Sequence, residues 1–191
     1  MIEVFKKWDE SLFLWLNSFH ADWLDPIVFQ MTETITWFPL YGFLLYKIYK
    51  LDPKNSVWIF GGVALTILIT DQLTSGFMKP FFERLRPCHD ERWTGIIHNY
   101  GRCGGLYGFV SSHAANTFGM AVFLNKKLKG KIPYIQYLFL YALVVSYTRI
   151  YLGVHYPFDV ILGAAIGIVA GFMVWFLIVF VKREILKKAL K

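Results

Sequence analysis

Residues 158–181 read FDVILGAAIGIVAGFMVWFLIVFV, and after Asp159 no charged side chain interrupts the run until Lys182. A stretch of about 20 apolar residues crosses a hydrocarbon core of about 30 Å, so this segment is long enough to span a bilayer. Working outward, residues 27–46, 57–78 and 134–151 approach the same length and character. A fifth stretch, residues 109–124, is shorter and begins with Ser111, Ser112, His113 and Asn116, so its start belongs in water or a polar cavity. The whole chain agrees: its 191 residues are 56% hydrophobic, 19% aromatic and 17% charged, with a mean hydropathy of +0.44. Ordinary globular chains run at about 45–50% apolar and about 25% charged. Disorder is excluded by this hydrophobicity, and a disulfide-built miniprotein by the presence of only 2 Cys.

The net charge of +7 is distributed in a telling way. Lys47, Lys50 and Lys54 form one group, Lys126, Lys127, Lys129 and Lys131 a second, and Lys182, Arg183, Lys187, Lys188 and Lys191 a third. With five spans these groups fall on one side, which the positive-inside rule makes cytoplasmic. The charge is therefore a topology signal, and nucleic acid is not an expected partner. Residues 1–20 carry Phe5, Trp8, Leu12, Phe13, Leu16 and Phe19 at mostly three- and four-residue spacings with charges between them, the pattern of a helix lying in the interface. The expected fold is all-α, a polytopic membrane helix bundle. It has five transmembrane helices and an N-terminal interfacial helix, whose crossing as a sixth is the alternative. Residues 1–191 form a single domain, with an extracytoplasmic loop at 79–108 and a basic cytoplasmic tail at 182–191.

The outer face collects Lys79, Arg84, Arg86, His113, Arg149, His155 and Asp159. Ionisable groups near membrane depth are expensive and mark sites. No Cys-His or carboxylate cluster has ligand spacing, so the set reads as an anion site without a metal or other cofactor, and phosphate suits three or four Lys and Arg. Lys79 and Arg86 each precede a proline and are predicted to be extended or in a turn at a helix end. Pro157 suits the first turn of the last helix, with His155 at its mouth. Asp159, four residues on, lies within reach of the His155 ring. A His held by a carboxylate through one ring nitrogen presents the other as base or nucleophile. Glu33 and Asp71, both inside predicted spans, read as buried hydrogen-bond or ion-pair partners, and Arg84 and Arg92 as loop or headgroup contacts.

These residues resemble the motifs of the type-2 phosphatidic acid phosphatase superfamily, in its bacterial membrane branch. Lys79-Pro-Phe-Phe-Glu-Arg-Leu-Arg86-Pro87 is similar to its K-x6-R-P motif, Val110-Ser111-Ser112-His113 to P-S-G-H, and Thr148-Arg149-x5-His155-x3-Asp159 to S-R-x5-H-x3-D. Val110, Ser112 and Thr148 replace Pro, Gly and Ser of the pattern. The resemblance implies an integral membrane lipid phosphatase in which His155 attacks phosphorus and Asp159 holds its tautomer. His113 would protonate the leaving oxygen, while Lys79, Arg86, Ser111, Ser112 and Arg149 bind the phosphate. It implies no cofactor or metal, a lipid phosphate as partner, and a bacterial inner membrane with the site facing the periplasm or exterior. Undecaprenyl diphosphate, phosphatidylglycerophosphate, phosphatidic acid and lipid A stay open as substrates. Transfer of the phosphate to another acceptor, or binding without catalysis, are the alternatives. Cys88 and Cys103, both in the outer loop, are a candidate disulfide closing about 15 residues.

Overall fold

The computed structural model describes residues 2–189, so Met1 and, in the basic tail, Leu190 and Lys191 lie outside it. Eight α-helices follow in order: α1 (Ile2–Asn17), α2 (Asp25–Thr32), α3 (Phe38–Leu51), α4 (Pro53–Asp71), α5 (Lys79–Phe82), α6 (Ser112–Leu128), α7 (Leu138–Tyr151) and α8 (Pro157–Ala189). Two helical lengths, Pro53–Phe82 and Pro157–Ala189, are long and apolar enough to cross a membrane. The expected span at 27–46 is not continuous. Glu33 takes an extended conformation between α2 and the 3-10 turn Thr34–Trp37, and α3 begins only at Phe38. Glu33 is accordingly exposed at a break, not buried inside a helix. α3, α6 and α7 have 14, 17 and 14 residues, or roughly 21–26 Å at 1.5 Å per residue, short of a full hydrocarbon core.

Local sequence explains the boundaries. Asp52 stands between α3 and α4, its carboxylate accepts from Asn55 N–H at 3.2 Å, and Pro53 opens α4 where no N–H is needed. Between α4 and α5 the helix widens into a π turn at Gln72–Met78. Pro80 cannot donate to the carbonyl of Gly76 and its ring presses on that turn, which the wider winding relieves. The helix then continues through Lys79, whose φ and ψ of −61° and −50° are helical. The extended conformation predicted there from Pro80 is thus overridden by the π turn, and the helix stops instead at Glu83, with φ 47°. Arg86, before Pro87, is extended as expected, at φ −67° and ψ 152°.

α6 and α8 pack in closest contact. Gly163, Gly167 and Gly171 lie four residues apart along α8 against the backbones of Ser111, Ala115 and Gly119. Small residues at this spacing let two backbones approach, which is how membrane helices gain dispersion contacts without a solvent driving force. One larger apolar cluster fills the space among α3, α4, α6, α7 and α8, including Ile48, Phe123, Leu124, Leu128, Val145 and Val174. At the end away from the loop, Lys182 donates to Asn55 and lies 5.7 Å from the Trp58 ring, so the basic C-terminal length of α8 meets the start of α4.

The buried stripe of α1 is Asp9, Phe13 and Asn17, while Phe5, Trp8, Trp15 and Phe19 are exposed. α1 therefore turns several aromatic rings outward, where lipid would be, and brings two polar side chains, Asp9 and Asn17, to the protein on either side of Phe13. Asn17 Nδ2 donates to the carbonyls of His98, Ile150 and Tyr151 at 2.9, 3.0 and 2.9 Å, and its Oδ1 accepts from His98 N–H at 2.7 Å.

A Cβ on Gly167 would meet backbone atoms of Ala115 and Gly119, which cannot rotate away. Gly167→Ala is expected to destabilise the protein by about 1–3 kcal/mol, the usual cost of overpacking. Gly42→Ala, inside α3 with no atom within 4 Å of the new carbon, is expected to keep or raise stability, by up to about 1 kcal/mol from helix propensity. Equilibrium unfolding of both variants in detergent micelles measures the difference.

Candidate active site

The site lies where α5, the start of α6, the end of α7 and the start of α8 converge under residues 83–111. α7 ends on Gly153, whose φ of 70° permits the turn. Val154 N–H returns to the Arg149 carbonyl at 3.0 Å and Gly153 N–H to that of Ile150 at 3.0 Å, a Schellman closure. His155 N–H also donates to the Arg149 carbonyl, at 3.2 Å, so this helix end sets the separation of the two residues. The loop then seals the turn: Cys88 N–H donates to the Gly153 carbonyl at 3.1 Å, and Asn99 Nδ2 to that of Leu152 at 2.7 Å. Cys88 and Cys103 are bonded to each other, their Cα atoms 6.0 Å apart, which shortens the loop that lies over this turn.

α8 starts at Pro157, and Asp159 reaches back to accept from Tyr156 N–H at 3.0 Å through Oδ2. That is the reciprocal half of a capping box. The same oxygen faces His155 Nδ1 at 3.4 Å, and Arg84 donates to the other, Oδ1, at 2.9 Å. Asp159 is 0% exposed and His155 1%. On the far side of the ring, Nε2 lies 3.4 Å from Arg86 Nη1. These partners assign the neutral tautomer: hydrogen on Nδ1 toward the carboxylate, lone pair on Nε2 toward the guanidinium. Burial, first, and then the positive charges of Arg86, Arg149 and Lys79 hold the His155 pKa well below its ordinary value.

Lys79, Arg86, Ser112, His113 and His155 line one cavity of about 590 Å³. It continues away from them past Asp71, Asn116 and Thr117 to an apolar stretch that includes Trp37, Leu44, Ile48, Phe60, Val63 and Leu124. Ser112 fixes the lysine: its Oγ accepts from Lys79 Nζ at 2.7 Å and is bonded by Thr74 and Ser75 at 2.8 and 2.9 Å. Lys79 also donates to Ser75 at 3.3 Å, and Ser75 to Asp71 at 3.2 Å, so the three residues run down one helix face. Ser111 and Arg149 are not among the lining residues. Ser111 is fully buried as the N-cap of α6, accepting from Ala114 N–H at 3.5 Å, and Arg149 donates to Thr32 of α2. Arg86 Nε and Arg149 Nε are buried with no partner in the protein, and Arg86, which lines the cavity, thereby keeps a donor for an anion.

Two residues that the sequence reading left outside the site are bonded to it. Arg84, read as a loop or headgroup contact, bridges Asp159 and Asp9, at 2.9 and 2.6 Å. The available signal was its position two residues before Arg86 in an extended segment, where alternate side chains share a face. Asp9 interrupts the i, i+4 stripe that continues through Phe13 and Asn17. Arg92, by contrast, stays a loop contact, paired with Glu10 and Asp90 at 2.9 and 2.6 Å.

The chain is similar to known proteins in sequence and in fold. Residues 57–183 match the PAP2 superfamily. The lipid A 4'-phosphatase of Bacteroides thetaiotaomicron is 37% identical over 180 residues, covering 93% of this chain and 80% of that protein. The lipid A 4'-phosphatase of Porphyromonas gingivalis is also 37% identical, over 169 residues, 87% of this chain and 71% of its own. In fold, the crystal structure of a transmembrane PAP2-type phosphatidylglycerolphosphate phosphatase from Bacillus subtilis superposes with a TM-score of 0.68. It does so at 18% identity, over 95% of this chain and 88% of that one.

Because the His155 pKa is depressed, the ring is expected to be mainly neutral as pH falls through about 6.5, where a free imidazole is half protonated. Ring nitrogen NMR shifts of labelled protein measure this. Arg86→Gln removes the nearest cation and is expected to move the titration upward; half protonation at 6.5 in the unchanged protein contradicts the assignment.

Proposed function

This chain belongs to the PAP2 superfamily, and from that premise we propose that it hydrolyses the 4'-phosphate of lipid A through a phosphohistidine at His155. That it is a membrane lipid phosphatase follows from the family and its relatives. The finer reading of substrate is supported by two relatives of that activity at 37% identity over most of this chain. The observation that carries the chemistry is His155, its Nδ1 turned to a buried carboxylate and its Nε2 to the cation cluster at the cavity.

In the first step Nε2 attacks phosphorus in line, the P–N bond forms, and the bond from phosphorus to the sugar oxygen breaks. His113, at the first turn of α6 on the same cavity wall, gives its proton to that oxygen. In the second step water attacks the phosphohistidine, His113 takes a proton from the water, the P–N bond breaks and inorganic phosphate leaves. Asp159 holds Nδ1–H throughout and stabilises the imidazolium character that attack creates. Lys79 and Arg86, which line the cavity, meet charge on the phosphoryl oxygens, Arg86 also with its free Nε donor, and Arg149 adds positive charge from behind them. Catalysis of phosphoryl transfer is mostly such positioning and electrostatic stabilisation. Ser111 contributes by capping α6 and so aiming its first turn. Ser112 contributes by holding Lys79. The apolar length of the cavity suits an acyl chain lying beside the headgroup. The reading places the site on the periplasmic side of an inner membrane. The basic length of α8 at the opposite end and the Cys88–Cys103 bond, which belongs in an oxidising compartment, support this.

The test is a panel of lipid A, undecaprenyl diphosphate, phosphatidylglycerophosphate and phosphatidic acid in detergent with EDTA, read by phosphate release. Lipid A is expected to be the preferred substrate, with loss of the 4'-phosphate by mass spectrometry. His155→Ala is expected to abolish turnover, and His113→Ala to lower it by roughly 10²- to 10⁴-fold, the usual worth of general acid–base assistance. Preference for another lipid overturns the substrate, and retained turnover in His155→Ala overturns the mechanism.

A further inference from the structure

α1 reaches the active site through one buried carboxylate. Asp9 is 1% exposed; its Oδ2 accepts from Arg84 Nη2 at 2.6 Å and its Oδ1 from Phe158 N–H at 2.9 Å. Phe158 N–H is one of the donors that the first turn of α8 leaves without a helical partner. Arg84 uses its other terminal nitrogen for Asp159 Oδ1 at 2.9 Å, and its guanidinium lies 4.0 Å from the centre of the Tyr156 ring. Tyr156 is itself held, its hydroxyl accepting from Trp93 Nε1 at 2.8 Å and donating to Asp90 at 3.4 Å. The guanidinium is therefore fixed from three sides: a carboxylate at each fork and an aromatic face beneath.

We propose that Asp9 and Arg84 are positioning residues for His155, forming a carboxylate–guanidinium–carboxylate chain that orients Asp159 and keeps it ionised. The proposal rests on the reading of His155 as nucleophile. Asp159 has two oxygens with divided duties. Oδ2 serves Tyr156 N–H and the His155 ring, and Arg84 occupies Oδ1. Holding Oδ1 fixes rotation of the carboxylate, so Oδ2 stays on the imidazole. A fully buried carboxylate also needs a cation to remain charged. Arg84 is the cation that bonds it directly, whereas Arg86 and Lys79 face the cavity, where their charge goes to the substrate. Asp9 in turn keeps Arg84 from swinging to the phosphate, which an unanchored guanidinium beside an anion site would do. Anchored by Asn17 at its other end on the carbonyls of Ile150 and Tyr151, α1 braces both helices that flank His155. The helix thus combines a lipid-facing apolar surface with a direct electrostatic link to the nucleophile's partner.

The experiment compares Arg84→Gln, Arg84→Lys, Asp9→Ala and Asp9→Asn with the unchanged protein in detergent micelles. The probe is lipid A, or whichever lipid of the panel above the unchanged protein hydrolyses. Arg84→Gln is expected to lower kcat by roughly 10- to 100-fold, the range for outer-shell partners of active-site groups, with KM within about twofold. Arg84→Lys is expected to recover part of kcat, because it restores charge but not the fork. Asp9→Ala is expected to reduce kcat in the same manner by a smaller factor. Asp9→Asn keeps an acceptor for Phe158 N–H without the charge, and tests the point if the alanine variant does not fold. Unfolding midpoints identify variants that retain the fold. A folded Arg84→Gln with unchanged kcat overturns the proposal, as does a rise in KM alone, which would make Arg84 a headgroup ligand. Full kcat in a folded Asp9→Asn removes α1 from the chain. Turnover surviving in His155→Ala is a separate failure, that of the mechanism itself.

Discussion

Burial of the Asp159 carboxylate is the constraint around which the loop-bearing half of the molecule is arranged. An ionised carboxylate taken out of water costs several kcal/mol unless charge and hydrogen bonds replace its hydration. Here the replacements come from separate parts of the chain: Tyr156 N–H from the turn before α8, Arg84 from the long loop, and the His155 ring. The backbone of the same residue ties in α6, because Ser111 N–H donates to the Asp159 carbonyl at 2.9 Å. That last bond requires α6 to come within reach of α8, which the glycine stripe at 163, 167 and 171 allows. Helix packing and the site's electrostatics are thus two aspects of one arrangement, and a disturbance of either acts on the other.

The cation cluster follows a complementary logic. Lys79, Arg86 and Arg149 are gathered around a buried His, with Asp71 and Asp159 near Lys79 and Glu33 near Arg149. A site held in this state favours any ligand that brings negative charge, and it keeps His155 neutral before that ligand arrives. Neutrality is what a nitrogen nucleophile needs. Ser112, where the family pattern has glycine, spends its hydroxyl on Lys79 and so trades backbone openness for a fixed ammonium. The π turn at Gln72–Met78 brings Thr74 and Ser75 to the same hydroxyl.

α1 and the loop together enclose the site. The loop is closed by its disulfide and hydrogen-bonded to the α7–α8 turn. α1 lies against both with Asp9, Phe13 and Asn17 inward. Its exposed Phe5, Trp8 and Trp15 are an asset in lipid, where apolar surface carries no penalty and aromatic rings anchor at the headgroup level.

Read alone, the sequence established that the chain lives in a bilayer, because a run such as residues 158–181 has no other economical environment. It also established three ordered motifs in register, because short-range spacing fixes what lies at one helix end. His155 and Asp159 were legible for that reason, as neighbours four residues apart across a Pro-opened helix start. Arg84 and Asp9 were not, since their meaning comes from bonds spanning 75 residues of sequence, and no local pattern encodes a partner that distant. The same holds for the helix ends. Hydropathy saw one span at 27–46 where the backbone breaks at Glu33, because burial is averaged over a window and a break is decided residue by residue. Lys79, expected to be extended before Pro80, is helical because the π turn upstream absorbs the proline. The tertiary structure alone decided which face of α1 is buried: in a membrane, water no longer sorts apolar from polar, and the hydrogen-bond partners inside the protein do.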